Sequence, residues 1–247
     1  MTAFNPFTLH KKGTRTKAFM AVVAVCILWG TTWVASKAGV RHIPALQLAG
    51  LRQLSAGILY VSYFLIRGAT FPKGKEWKPL LLLSLLNFIL SNGLSTWGVK
   101  YISAGLAAIM GAIFPIWLVV ISLFTSKEQL PRKAIIGLGL GFAGVCVIFY
   151  DHLQDFLNPD FRFGILLSLL ATWSWAFATT YTKKQVAHFN PYFSMGIQML
   201  ISGSILTIGT NASGYAIPLQ EIPWQTWAVI SYMVLMGSVF SFLCYLY

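Results

Sequence analysis

Residues 18–35 read AFMAVVAVCILWGTTWVA, eighteen consecutive positions without a charge. At 1.5 Å per residue, a helix of that length spans about 27 Å, close to the ~30 Å hydrocarbon core of a bilayer. Lys11, Lys12, Arg15 and Lys17 precede the run, as basic residues precede a secretory signal. The apolar stretch is nonetheless long, and it passes into Ser36 and Lys37 without a clear small-residue cleavage site after a short apolar region. A retained first membrane span is therefore expected at 18–37.

Seven further stretches of the same kind follow, at about 45–66, 79–99, 103–124, 134–150, 163–182, 191–210 and 226–246. Breakers such as Pro44, Pro72, Pro131, Pro159, Pro191 and Pro218 punctuate the short connections. The chain is 57% hydrophobic and 10% charged, with mean hydropathy +0.69. Soluble domains carry about 25% charged residues, because their surface must be polar. The fold class expected is an all-α integral membrane protein, a polytopic helical bundle. The net charge of +12 does not mark a nucleic-acid surface, since the basic residues are scattered over short loops. No nucleic-acid partner is predicted; the bilayer is the first partner. Cys26, Cys146 and Cys244 all lie within spans, too few and too far apart for a metal motif or disulfide framework, and are read as small packing residues.

Lysine and arginine gather on the cytoplasmic side of membrane proteins. With the N-terminus inside, 13 of the 18 basic residues fall on inner segments, four on outer ends, and Arg52 within a span. Asp151, Asp155, Asp160 and Glu221 fall outside. A multi-pass protein of the cell (plasma or inner) membrane with a cytoplasmic N-terminus is predicted.

An internal repeat is also visible. Trp29-Gly30-Thr31-Thr32-Trp33 in span 1 matches Trp173-Ser174-Trp175 in span 6, and Ser55-Ala56-Gly57 in span 2 matches Ser202-Gly203-Ser204 in span 7, at offsets of 144 and 147 residues. An offset of five spans starts the second copy on the opposite side of the membrane. That is the plan of an inverted repeat, common in secondary transporters.

Four stretches then resemble one family. The run from Leu28 through Trp29, Gly30, Thr31, Thr32 and Trp33 to Lys37 is similar to the first helix of EamA-type transporters of the drug/metabolite transporter superfamily. Leu51-Arg52-Gln53-Leu54, Ser103-Ala104-Gly105-Leu106-Ala107-Ala108 leading to Pro115, and Lys127-Glu128-Gln129-Leu130 fit the same family in order. The resemblance implies ten helices in two inverted five-helix repeats that move small metabolites by alternating access. It divides the chain into a basic N-terminus (1–17), a first repeat (18–150), an external linker (151–162) and three helices of a second repeat (163–247), five plus three, and implies truncation after the eighth helix.

The spans carry polar stripes that should turn away from lipid, because an unpaired polar group in hydrocarbon is costly. Trp29, Thr32, Trp33 and Ser36 share one face of span 1. Span 3 aligns Ser84, Asn87, Ser91 and Ser95 with Asn92 beside them; span 6 aligns Ser168, Thr172, Trp175 and Thr179; span 7 aligns Ser194, Gln198 and Ser202; span 8 offers Ser238, Ser241 and Tyr245. Converging stripes would enclose a polar, aromatic-walled cavity. The substrate-binding candidates are Trp29, Thr32, Trp33, Arg52, Asn87, Asn92, Trp175 and Gln198. For single Ser, Thr and Asn residues the competing expectation is a hydrogen bond to a neighbouring helix. Arg52 has three readings: it meets an anionic group of a substrate, snorkels to the surface, or bonds backbone carbonyls to hold the fold.

Gly137, Gly139, Gly141 and Gly144 in span 5, and the small residues Ala107, Ala108, Gly111 and Ala112 in span 4, are read as faces for helix packing or a homodimer contact. Pro115 is a candidate kink. No Asp or Glu lies inside a span, and no metal-spaced cluster, phosphate-binding loop or nucleophile–base pair is apparent, so no cofactor, metal site or catalytic residue is predicted. The leading expectation is a carrier exporting small organic metabolites, amino-acid-like or amphipathic. An integral-membrane enzyme acting on a lipid-linked substrate would draw on Asp151, His152 and Asp155; a membrane scaffold or receptor would leave the stripes without a shared cavity.

Overall fold

The computed structural model describes residues 15–125, 132–150, 152–185 and 190–246. Eight helices in it are long and apolar enough to cross a membrane: α1 (Arg15–Gly39), α2 (Ala45–Ile66), α3 (Gly74–Tyr101), α4 (Ala104–Phe124), α5 (Arg132–Tyr150), α6 (Pro159–Gln185), α7 (Pro191–Ala212) and α8 (Trp224–Tyr245). Each lies within a few residues of the stretch expected for it. The ends follow local chemistry. Ser103 caps α4 by accepting the Leu106 N–H at 3.1 Å, and the Asn190 side chain accepts from the first turn of α7, where Pro191 has no N–H to satisfy. The α4 hydrogen-bond ladder breaks at Ile113, just before Pro115, the expected kink.

Helices α2 and α7 form the spine. They begin and end 146 positions apart, at Ala45 and Pro191 and at Ile66 and Ala212. Each is closed by a glycine in the left-handed region, Gly68 at φ 85° and Gly214 at φ 72°, again 146 apart. Their seam is built on close backbone approach. A Cβ on Gly57 would strike the Leu200 backbone, and one on Gly203 would strike the Leu54 backbone. Gly50 meets Leu206 and Thr207, while Gly196 meets Tyr60 and Val61. As residue numbers rise along α2 they fall along α7, so the two helices are antiparallel. Shifting each contact by 146 exchanges it for its mate. A two-fold relation therefore passes between Ser55 and Ala56 on one helix and between Ile201 and Ser202 on the other, midway along both. Two further contacts obey it: α1 packs on α8 as α6 packs on α3, and α2 on α8 as α7 on α3.

This register corrects the offsets of 144 and 147. The partner of Trp29 is Trp175, not Trp173, and the two rings meet edge-to-face at 5.5 Å. Trp173 instead stacks on Phe177 at the outer surface. Two other expectations change. Cys26 and Cys146 are exposed on the apolar perimeter instead of packed inside; only Cys244 is half-buried. The α5 glycines Gly137, Gly139, Gly141 and Gly144 have nothing within 4 Å, so within the described residues they pack no helix. Large apolar side chains such as Phe19, Ile27, Leu140 and Phe142 face outward, as lipid contact requires.

Candidate functional site

A cavity of about 610 Å³ lies between the two halves. Helix α1 lends it Trp29, Thr32, Trp33 and Ser36, the face expected from spacing. Helix α6 lends Thr172, Trp175, Thr179 and Thr182; α8 lends Phe242, Tyr245 and Leu246. The longest wall is α3, where Asn87, Phe88, Ser91, Asn92, Ser95 and Thr96 all face inward. Residues Ser84–Gly93 of α3 form a π-helix, whose i→i+5 turns are wider than α-helical ones. The wider turn brings adjacent pairs four apart onto one wall, where a regular helix would turn one of each pair away. A second π segment, Leu235–Phe240, lies in α8. Neither was legible from hydropathy, although the adjacent polar pair Ser91–Asn92 was a trace of the first.

Seven of the eight candidate residues line this cavity: Trp29, Thr32, Trp33, Arg52, Asn87, Asn92 and Trp175. Gln198 does not. It is 4% exposed and sits behind Asn87, whose Nδ2 donates to Gln198 Oε1 at 3.0 Å, while Gln198 Nε2 donates to Ser194. That bond orients the Asn87 amide. Other stripe hydroxyls are also spent on protein: Ser84 donates to the Leu80 carbonyl and Ser168 to the Gly164 carbonyl, each within its own helix, and Ser202 donates to the Gln53 amide oxygen across the α2–α7 seam. Conversely, Ala108 and Gly111 of α4, read as packing positions, line the cavity; a Cβ on Gly111 would sit 3.0 Å from the Trp33 ring. Thr96, Met195 and Phe242 are lining residues that the stripes did not single out.

The aromatic wall is continuous. Trp29 contacts Trp175 and Phe242 at 5.5 Å and Tyr245 at 5.2 Å, and Phe114 stacks on Trp175 at 4.2 Å. Such ring contacts contribute about 0.5–1.5 kcal/mol each beyond area burial. Among the described residues Arg52 is the only charged side chain in the lining. Its Nε donates to Ser238 Oγ and its Nη2 to the Gly237 carbonyl, both at 3.0 Å. It does not snorkel. The carbonyl-bonding expectation holds, and the guanidinium also faces the cavity.

The cavity has one sealed end. Val40, Ile43, Val99, Ile102, Leu106 and Met110, all buried, belong to one apolar cluster there. Lys37 Nζ donates to the carbonyls of Val99, Lys100 and Ile102 at 2.8–3.0 Å, tying α1 to the end of α3. At the opposite end, Thr182 and Met195 are half-buried and Tyr245 is 42% exposed. The enzyme candidates lie elsewhere, near the sealed end. His152 Nδ1 and Asp155 Oδ2 pair at 2.7 Å beside the α3–α4 corner; Asp151, Glu128 and the rest of residues 126–131 lie outside the described residues.

The sequence profile of the EamA-like transporter family matches residues 16–150 and again residues 162–247. The chain belongs to the EamA-like transporter family. The two matches correspond to the two structural halves. Among relatives, the uncharacterized inner membrane transporter YedA of Escherichia coli K12 is 29% identical, over 93% of this chain and 73% of its own. A probable amino-acid metabolite efflux pump of Salmonella typhimurium is 30% identical over 70% of this chain, a match that spans 56% of the pump. One solved crystal structure superposes at TM-score 0.68 with 16% identity, covering 94% of this chain and 79% of that one, which establishes likeness of fold alone. This EamA-like chain is thus a multi-pass membrane protein of a transporter family, in contact with lipid over its apolar perimeter.

Proposed function

We propose that this protein exports small organic metabolites, amino-acid-like or amphipathic, across the cell membrane by alternating access, with substrate held in the cavity between the two halves. The observation that carries the proposal is the cavity itself: it is aromatic and polar, crosses the α2–α7 midpoint, is sealed at one end and leads toward the other. The basic residues of the sequence support a cytoplasmic N-terminus, which makes the sealed end extracellular and this conformation inward-open. The two-fold relation supplies the second conformation, because exchanging the packing of the halves would open the sealed end and close the other. The name of the Salmonella relative is consistent with export of amino-acid metabolites.

Trp29, Thr32, Trp33, Asn87, Asn92 and Trp175 contact substrate, and Gln198 holds Asn87 in place. The test is flux. Proteoliposomes containing the protein are loaded with a panel of labelled amino acids and amphipathic metabolites. Protein-dependent efflux of at least one is expected, with loss in Gly111→Trp, which would fill the cavity beside Trp33. No flux for any compound, or full flux in Gly111→Trp, would overturn the proposal.

A further inference from the structure

The two-fold relation is broken at one pair of positions that matters for charge. Arg52 on α2 and Gln198 on α7 are 146 residues apart and are therefore equivalent, yet one is a cation lining the cavity and the other a neutral amide hidden behind Asn87. Both lie about 5 Å along their helices from the midpoint, at 1.5 Å per residue. Arg52 forms no ion pair among the described residues. None of the acidic side chains among the described residues lines the cavity: Glu76, Asp155, Asp160 and Glu221 stand in loops or a first helical turn. Among the described residues the cavity lining thus carries one positive charge and no negative one.

The guanidinium is also held in a specific way. Nε and Nη2 engage Ser238 and Gly237, which uses one edge of the fork. Three of the five N–H donors, including both on Nη1, have no protein acceptor among the described residues. A planar fork with one edge clamped and the other free is the arrangement that receives a carboxylate bidentately. Bare cations at this depth are costly, so an anion supplied by the cargo would stabilise the loaded cavity. A cationic cargo would instead meet like charge and find no carboxylate.

We infer that the cavity selects cargo carrying a carboxylate beside an aromatic or apolar body and no uncompensated positive charge, with Arg52 receiving the carboxylate and the Trp29–Trp175–Phe242 wall receiving the body. The inference rests on the cavity being the transport site. It excludes organic cations from this chain's cargo and ranks a simple aromatic acid above the matching amine.

The test uses three isosteres, 3-phenylpropionate, phenethylamine and 3-phenylpropanol, with the protein in nanodiscs and tryptophan fluorescence as the readout. The acid is expected to bind about tenfold or more tighter than the amine, the size of one charge-assisted pair. Arg52→Gln should abolish that preference and leave the neutral alcohol within about threefold; Arg52→Lys should keep the preference at lower affinity. Equal binding of acid and amine by the unaltered protein would overturn the inference and leave the carrier reading standing if the alcohol binds. Preference retained in Arg52→Gln would also overturn it. So would chloride, against a gluconate control, displacing the acid fully at millimolar concentration, since the site would then be one for inorganic anions. Absence of binding by all three would overturn both this inference and the cavity as the transport site. If Arg52→Gln does not fold, the comparison of acid and amine on the unaltered protein decides alone.

Discussion

Replacing Gly57 by Ala places a methyl group where the Leu200 backbone already lies. The obstacle is main chain, not the tip of a flexible side chain, so α2 and α7 must separate to admit it. Overpacking costs about 1–3 kcal/mol, and a seam of two backbones stands at the upper end, about 2–3 kcal/mol. For chains of 150–250 residues each kcal/mol shifts a melting temperature by roughly 2–4 °C, which gives a fall of roughly 4–12 °C. Gly203→Ala meets the Leu54 backbone in the mate of the same contact and should fall by a similar amount. Gly141→Ala is the control. Nothing lies within 4 Å of it, and exchanging glycine for alanine in an open helix position stabilises by up to about 1 kcal/mol. Thermal unfolding of the three variants in one detergent, followed by circular dichroism, measures all of this. Unchanged melting in Gly57→Ala and Gly203→Ala, or a large fall in only one, would refute the two-fold seam.

Three further outcomes are expected. Lys37→Met removes a cation from the end of α3, worth about 1 kcal/mol by its interaction with the helix terminus, and should speed amide exchange around residues 99–102 without affecting the α2–α7 seam. Gln53→Leu breaks bonds to Ser202 and the Phe88 carbonyl and should cost about 0.6–2 kcal/mol in thermal unfolding, the range for interhelical polar contacts in membranes. Gly237→Ala would push Thr32 and crowd Arg52, so cargo affinity should fall together with a stability loss of about 1–3 kcal/mol; affinity equal to the parent's would argue against Arg52 as a contact.

The sequence revealed much of this because a bilayer imposes few requirements. Spans show as apolar length, and polar stripes show because lipid penalises them, so Trp29, Thr32, Trp33 and Asn87 were found from spacing. Hydropathy carries no register, however. Trp173 and Trp175 are equally plausible partners for Trp29 until the α2–α7 glycines fix the offset at 146. Helical spacing also presumes a regular turn, and the π segment in α3 violates it. A stripe gives direction but not depth, and Gln198 pointed inward yet stopped one residue short of the cavity. Small residues on α4 looked like packing surface because space left for a ligand and space left for a helix have the same sequence signature.

The central claim is that the cavity is a solvent-filled path that cargo occupies and that opens on one side at a time. Ser91 lines it and its hydroxyl makes no hydrogen bond among the described residues, so it can carry a reporter. With Cys26, Cys146 and Cys244 replaced, Ser91→Cys in oriented proteoliposomes should react with a membrane-impermeant thiol reagent. Reaction should come mainly from the side that holds the N-terminus, and a transported compound should protect it. Reaction from neither side, or a rate that no transported compound alters, would contradict the account.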